Sequence, residues 1–241
     1  MPKFFVDTPI EDTVTLTGEN AAHISKSLRM KVGEEVVLCD GQGYDYGCII
    51  ESITKGAVCL KCAFKTPSES EAAVWVDLYQ GLPKGDKLSE VVRKCTELGV
   101  SAFHPVLMHR SVAKPDAKTA LKKRERLQKI AREAASQSRR GIIPQVYDIE
   151  DYESALNKND CDATLLFYEN GGESLNNILN ECKEKAVKRI ALIIGPEGGF
   201  EESEVALAQA HGARVATLGK RILRTETAPV AAAAAVFYEL D

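Results

Sequence analysis

Apolar and polar positions change rhythm once along the chain. Up to residue 66 the apolar residues come in short β-rich runs, VTLTG, EEVVLCDGQGYDYGCIIESIT and AVCLKCAFK, with Gly18, Gly33, Gly41, Gly43, Gly47 and Gly56 between or beside them. This pattern predicts a small barrel or meander, interrupted by one short helix, AAHISKSLRM at 21–30, that ends before Gly33. KTPSESEA at 65–72 has no hydrophobic period and reads as a linker. From residue 73 the pattern repeats as strand, loop, helix. AVWVDLYQ (73–80) reads as a buried strand, with Trp75 in the core. Leu88, Val91, Val92, Cys95 and Leu98 then recur at helical spacing and stop at Gly99. AFHPVLM is a short strand. A long helix follows over 117–139, with Leu121, Leu127, Ile130, Ala131, Ala134 and Ala135 on its apolar side. DATLLFYE (162–169), RIALIIG and RVATLG read as strands, with helices around 174–186, after PEGGF, and from about Thr227. Strands alternating with helices predict an α/β domain with a largely parallel sheet. The expected division is a β-barrel domain over 1–70 and an α/β domain over 71–241.

Composition narrows the class. The chain has 241 residues, 44% of them hydrophobic and 27% charged, enough for one large or two modest cores. Its longest apolar runs are far shorter than a membrane span. No apolar stretch follows the basic start of MPKFFVDTPIED, so no signal peptide is expected and the cytoplasm is the default. Seven cysteines, an odd number, argue against a disulfide framework there. Cys59 and Cys62 form one C-x-x-C, but on a strand they point to opposite faces and cannot easily grip one metal. His23, His104, His109 and His211 show no metal-ligand spacing, and no metal is expected. Lone histidines such as His23, His104 and His109 read as structural residues. The net charge of −4 hides a dense basic segment, because residues 110–140 hold 11 basic and 3 acidic side chains. That asymmetry fits docking of a polyanion at one place, although a charge run alone also describes a solvated helix face.

In a parallel sheet, ligands bind at loops beyond the carboxyl ends of the strands. Three such loops carry glycine: Glu169–Gly172, IGPEGGF at 194–200, and LGKRILRTETA at 218–228. The second contains no phosphate-binding P-loop or dinucleotide fingerprint. Its glycines offer backbone groups to a ligand, and Glu197, Glu201 and Glu202 make it tolerant of a cation. A sulfonium or an adenine edge suits it better than a triphosphate. In the third, Thr225 or Thr227 can cap the helix beginning near Ala228, and Pro229 suits a first turn. Glu226 sits close to the positive helix end. Arg221 and Arg224 approach that same end, where the helix dipole disfavours cations by about 0.3–1 kcal/mol each. An anionic partner, or Glu226, is expected to hold them. The alanines at 231–235 either serve as simple helix formers or let another backbone pack closely.

IGPEGGF, followed by LGKRILRTETA, resembles the SPOUT class of RNA methyltransferases, and more closely the bacterial 16S ribosomal RNA uridine N3-methyltransferase family. HISKSLRMKVG (23–33), GLPKGDKLSEVVRKCTELGV (81–100), HRSV (109–112) and EAASQSRRGIIP (133–144) are similar to further family segments in order. One departure is Ser136, where the family usually carries Glu, which puts a carboxylate role there in doubt but not Gln137 or Arg140.

The resemblance implies an α/β trefoil-knotted SPOUT methyltransferase domain with a small N-terminal PUA-like β-barrel domain that helps hold RNA. It implies a homodimer, S-adenosyl-L-methionine as cofactor, and N3-methyluridine in 16S rRNA of the small ribosomal subunit as product. Backbone groups of Gly195, Pro196, Glu197, Gly198, Gly199, Gly219, Thr225, Thr227 and Ala228 are then expected to cradle the cofactor, with Leu166, Ile194, Leu218, Ile222 and Leu223 as apolar walls. Arg224 is expected beside the reacting base. Glu169 and Glu226 are the candidate proton acceptors, with a ribose contact for Glu169 and a helix cap for Glu226 as the alternatives. The predicted RNA track comprises the basic helix with Arg110, Gln137, Arg139 and Arg140, joined by Lys84, Lys87, Arg29 and Lys31. The competing readings are a non-catalytic RNA-binding ribosome-assembly factor and an unrelated α/β nucleotide enzyme. Intact glycines and RTETA oppose the first, and the missing phosphate motifs oppose the second.

Overall fold

Val14, Leu16, Val36, Leu38, Ile50, Val58 and Leu60 turn inward from one five-stranded sheet and form a core of their own. They belong to the first of two compact units in the computed structural model, which describes all 241 residues. The first unit is Met1–Glu71 with Ala135–Ile143, and the second is Ala72–Ala134 with Pro144–Asp241.

In the first unit the strands are β1 (Lys3–Phe5), β2 (Thr13–Thr17), β3 (Glu35–Cys39), β4 (Tyr44–Thr54) and β5 (Ala57–Pro67), ordered β1-β3-β4-β5-β2. Helix α1 (Gly18–Ala22) continues as one π-helical turn, His23–Ser27, which buries Ile24 completely. The helix therefore begins earlier than its apolar pattern indicates. It is over before Arg29, which takes a left-handed φ of 53°.

One expectation is corrected on β5. The chain does contain a disulfide: Cys48 and Cys62 are cross-strand partners on β4 and β5 and are joined. That pairing depends on strand register, which cysteine spacing does not reveal. Phe64, two residues on from Cys62, is 57% exposed. A register shift lies between Gly47 and Cys48, and the Phe64 ring occupies the space a side chain at Gly47 would need.

Arg140 is likewise corrected as an RNA contact. It is only 2% exposed, and its Nη2 donates to Glu71 Oε2 at 2.6 Å. The other Glu71 oxygen accepts the Gly141 and Ile142 amides at 2.6 and 3.0 Å. A buried Arg–carboxylate pair with its remaining lone pairs occupied is a structural clasp.

The second unit is built on β6 (Trp75–Gly81), β7 (Ala102–Leu107), β8 (Gln145–Val146), β9 (Glu150–Asp151), β10 (Ala163–Phe167), β11 (Glu173–Ser174), β12 (Arg189–Ile194) and β13 (Arg214–Thr217). Every pairing is parallel, in the order β11-β13-β10-β12-β6-β7-β8, with β9 also on β7. The helices are α2 (Lys87–Leu98), α3 (Ala117–Gln137), α4 (Tyr152–Lys158), α5 (Leu175–Glu184), α6 (Glu202–Ala210) and α7 (Ala228–Leu240).

Strand residues alternate between two cores, as a sheet covered on both faces requires. Val76, Leu78, Leu165, Phe167, Ile190, Leu192 and Ile194 meet residues of α2, α5 and α7. Tyr79, Leu166, Ala191 and Ile193 meet residues of α4 and α6. Trp75 is not core: it is the first residue of β6, lies outside both cores, and is 40% exposed. Leu121, near the start of α3, is also exposed, whereas Leu127 and Ala131 are buried.

The second core holds a polar knot of side chains at the amino ends of its strands. Asp77 is fully buried and accepts Arg189 Nη2 at 2.7 Å. His104 Nε2 lies 3.4 Å from the same carboxylate. The imidazole is stacked between Tyr79 and Tyr147, at 4.2 and 4.4 Å between ring centres, a structural setting. Burial pushes the Asp77 carboxyl upward, but hydrogen bonds and charge from His104 and Arg189 outweigh it and hold the group below its ordinary value. A depressed folded value contributes stability above the ordinary carboxylate range and loses it as pH falls through the folded value. Urea unfolding is therefore expected to show Asp77→Asn less stable than wild type at neutral pH, with the gap closing in acid. A gap that stays constant across that range contradicts the assignment.

Candidate active site

Three loops leave the carboxyl ends of β10, β12 and β13 and meet around a cleft of about 720 Å³. Sheet order explains this, because β10 lies between β12 and β13. The loop after β12 approaches its neighbours by backbone. Gly199 donates its amide to Pro196 O at 3.0 Å and takes a φ of +69°. A side chain there would also run into the Glu169 carboxylate, so glycine serves both the turn and the close approach. The outer side of the loop is tied down by Arg110, whose Nη1 donates to Gly198 O at 2.9 Å. Glu204 accepts the His109 amide at 2.8 Å and closes a capping box with Glu201 at the start of α6.

A buried latch joins this loop to the one after β13. Thr225 Oγ1 donates to Gly195 O at 2.7 Å. Gln80 Nε2 donates to Thr225 Oγ1 at 3.0 Å and lies 3.3 Å from Gly195 O. Both side chains are buried, at 7% and 1% exposure, where hydrogen bonds stay dry and hold backbone in place. Thr225 is therefore not a helix cap. Thr227 occupies the N-cap position of α7 but makes no side-chain cap bond. Pro229 does lie in the first turn, and the chain turn is closed instead by the Thr227 and Ala228 amides on Arg224 O, at 2.8 and 2.9 Å.

Charge is arranged differently from the sequence expectation. Glu226 does not hold the arginines. It lies 3.6 Å from Lys87 Nζ, which also pairs with Glu197 at 3.0 Å. Glu197 further accepts the Lys84 amide at 3.1 Å. Burial raises the Glu197 carboxyl, but its own amide, Lys87 and the Lys84 amide outweigh that and hold it below its usual value. The hydrogen bond to Glu197 leads the causes that raise the Lys87 ammonium. Lys87 is thus a cleft residue rather than an open phosphate contact. Arg221 and Arg224 line the cleft, exposed, and neither forms an ion pair.

Ile194, Gly195, Pro196, Glu197, Gly198, Gly199, Leu218, Gly219, Leu223, Arg224, Thr225, Glu226, Ala228 and Glu169 all line the cleft. Leu166 does not. It is fully buried in the core against α4 and α6, and its neighbour Phe167, on the opposite face, reaches the cleft in its place. Thr227 is exposed outside the lining, and Ile222 lines the rim at 81% exposure. Tyr168 was missed by sequence reasoning and also lines the cleft, as do Asn170 and Lys220, which belong to the two glycine-bearing loops read from the sequence. Gln80 was missed as well, although a glutamine ending an apolar strand was a readable signal. Lys84, Arg110, Gln137, Arg139, Arg29 and Lys31 are exposed, the last four of them in the first unit.

A parallel sheet with a glycine-rich cleft beyond its carboxyl ends, in a chain that also folds a small β-sheet unit, is the build of an RNA methyltransferase. Residues 70–237 match the RNA methyltransferase domain, and residues 16–61 match the RNA methyltransferase PUA domain. The chain is 36% identical over 252 residues to ribosomal RNA small subunit methyltransferase E of Bacillus subtilis, covering 100% of this chain and 98% of that one. It is also 36% identical to the Synechocystis protein of the same name, over 94% of this chain and 73% of that one. Ribosomal RNA small subunit methyltransferase E from Neisseria gonorrhoeae, solved bound to S-adenosyl methionine, superposes with a TM-score of 0.84 at 32% identity, over 98% of this chain and 96% of that one. The chain belongs to the ribosomal RNA small subunit methyltransferase E family.

Proposed function

We propose that the protein transfers the methyl group of S-adenosyl-L-methionine to N3 of a specific uridine in 16S rRNA of the small ribosomal subunit. It works in the cytoplasm as a homodimer, on a trefoil-knotted SPOUT domain over 71–241 joined to a PUA-like domain over 1–70. The observation that carries the reading is the convergence of three glycine-bearing loops on one cleft, with an unpaired Arg224 at its edge. The same geometry favours an enzyme over a non-catalytic RNA-binding assembly factor, which has no use for such a cleft.

The residues present fit the cofactor. Gly195, Gly198 and Gly199 line the cleft with backbone, and added side chains there would meet Phe200, Arg110 and Glu169, so glycine is what lets the loop keep this course. Phe167, Ile194, Leu218 and Leu223 give apolar wall, and the Glu169 carboxylate, which forms no ion pair, suits a cationic ligand. Bound there, S-adenosyl-L-methionine supplies a methyl group on a sulfonium. The protein's work is to position the uridine and to handle its N3 proton. Arg224 stabilises the anion that forms when the imide loses that proton. Glu169 or Glu226 is the carboxylate that takes it. N3 lies on the pairing edge, so the target base must be unpaired or flipped. Arg29, Lys31, Lys84, Arg110, Gln137 and Arg139 contribute RNA contacts.

Titration calorimetry with S-adenosyl-L-methionine is expected to give one site per chain. Absence of binding under conditions where the protein is folded refutes the cofactor assignment.

A further inference from the structure

A second groove runs between α2 and α3 and has a volume of about 670 Å³. Lys87, Arg93, Lys94 and Arg126 supply its cations, and Asp86 and Glu90 its only carboxylates. Both carboxylates are already engaged. Asp86 is paired with Arg126, which also donates to Ser89 Oγ at 2.8 Å. Glu90 accepts Lys94 Nζ at 2.6 Å. Arg93 has no salt-bridge partner, so the groove keeps uncompensated positive charge.

Neighbouring charge points the same way. Burial, and then the charge of Arg126, hold the Lys123 ammonium on α3 below its ordinary value. Cations crowded together gain from a polyanion laid across them. Lys87 lines both this groove and the cleft, so the two are contiguous at one side chain. The groove contains no aromatic residue, and therefore offers no stacking surface for bases. It is fitted to a sugar–phosphate backbone, which positions a strand without reading its sequence.

We infer that the groove between α2 and α3 holds the phosphate backbone of the RNA strand that carries the target base, with Arg93 and Lys94 as the phosphate-binding side chains. This rests on the RNA methyltransferase reading above and specifies where the substrate strand runs. It replaces the end of the sequence-predicted track at Arg140, which is buried.

The test compares wild type with the Arg93→Ala/Lys94→Ala double variant. The readouts are affinity for a 16S rRNA transcript over a range of salt concentrations, and calorimetric binding of S-adenosyl-L-methionine. The variant is expected to bind RNA more weakly, with the slope of log affinity against log salt reduced by about 0.7–0.9 for each phosphate it no longer neutralises. Its cofactor binding should match wild type, which also shows that it is folded. If wild type has a steep slope and the variant has the same slope and affinity, the groove is not the RNA path, while the methyltransferase reading stands. If wild type itself shows no salt-dependent RNA binding, both fail. A single Arg93→Ala variant, which breaks no ion pair, is expected to reduce the slope by about one phosphate's share. An unchanged slope there counts against the inference even if the double variant is impaired.

Discussion

Replacing Arg224 by alanine is expected to lower the rate of methyl transfer by about 10²–10³, while S-adenosyl-L-methionine still binds. The Arg224 side chain forms no ion pair, and it is exposed at the cleft edge. Its backbone is fixed on the carboxyl side. The Arg224 carbonyl accepts the Thr227 and Ala228 amides, and the next residue is latched through Thr225 to Gly195. An exposed cation held by a rigid backbone and lacking a carboxylate is available to a substrate. The uridine anion formed at N3 is the charge it would meet, and a preorganised cation aimed at developing charge is the kind of group whose loss falls on the chemical step. The expected signature is a fall in kcat with cofactor affinity and unfolding midpoint unchanged. Lysine at the same position should recover part of the rate, because it restores charge without the planar fork. Full methyl transfer by Arg224→Ala sinks the assignment.

Replacing Ala233 by leucine is expected to destabilise the fold by about 1–3 kcal/mol or to prevent folding. Ala234→Leu should stay within about 0.5 kcal/mol of wild type. The contrast follows from the burial of α7. Ala232 and Ala233 are completely buried, whereas Ala234 is exposed. The helix packs on α2, α5, β6 and β12. Near its far end, Phe237 lies where a side chain at Gly99 would sit, 3.1 Å from that position. Ala232 and Ala233 have no exposed surface left where α7 meets these elements, so an isobutyl added at Ala233 must push the helix away from its neighbours. Because α7 begins directly after the loop that carries Arg224 and Thr225, displacement should also reduce activity in whatever protein remains folded. Denaturant unfolding at constant m-value measures the first effect. Equal midpoints for the two variants contradict the packing.

The alternation of strands and helices after residue 73, the glycine-bearing loops and the turn before α7 were all legible in the sequence, because each follows from local pattern. Matters that depend on a second strand or a distant residue were not. Leu166 and Phe167 are adjacent apolar residues, and only the packed sheet shows which of them faces the cleft. Cys48 and Cys62 meet through a register that includes a bulge. Arg140 reads as a free cation until Glu71 is seen beside it, and Lys87 reads as a phosphate ligand until Glu197 and Glu226 close around it. Thr225 and Thr227 both suit a cap by composition, but Thr225 is buried and its hydroxyl is spent on Gly195 and Gln80. The two arginines before α7 raised a question that local electrostatics could pose but not answer: no carboxylate of the chain holds them.

The most direct test of the central claim is mass mapping of modified small-subunit rRNA from cells with and without the protein. The account predicts that one methylated uridine, modified at N3, is lost when the protein is absent and returns when the wild-type gene, but not the Arg224→Ala form, is supplied. An unchanged 16S rRNA methylation pattern in cells lacking the protein contradicts it.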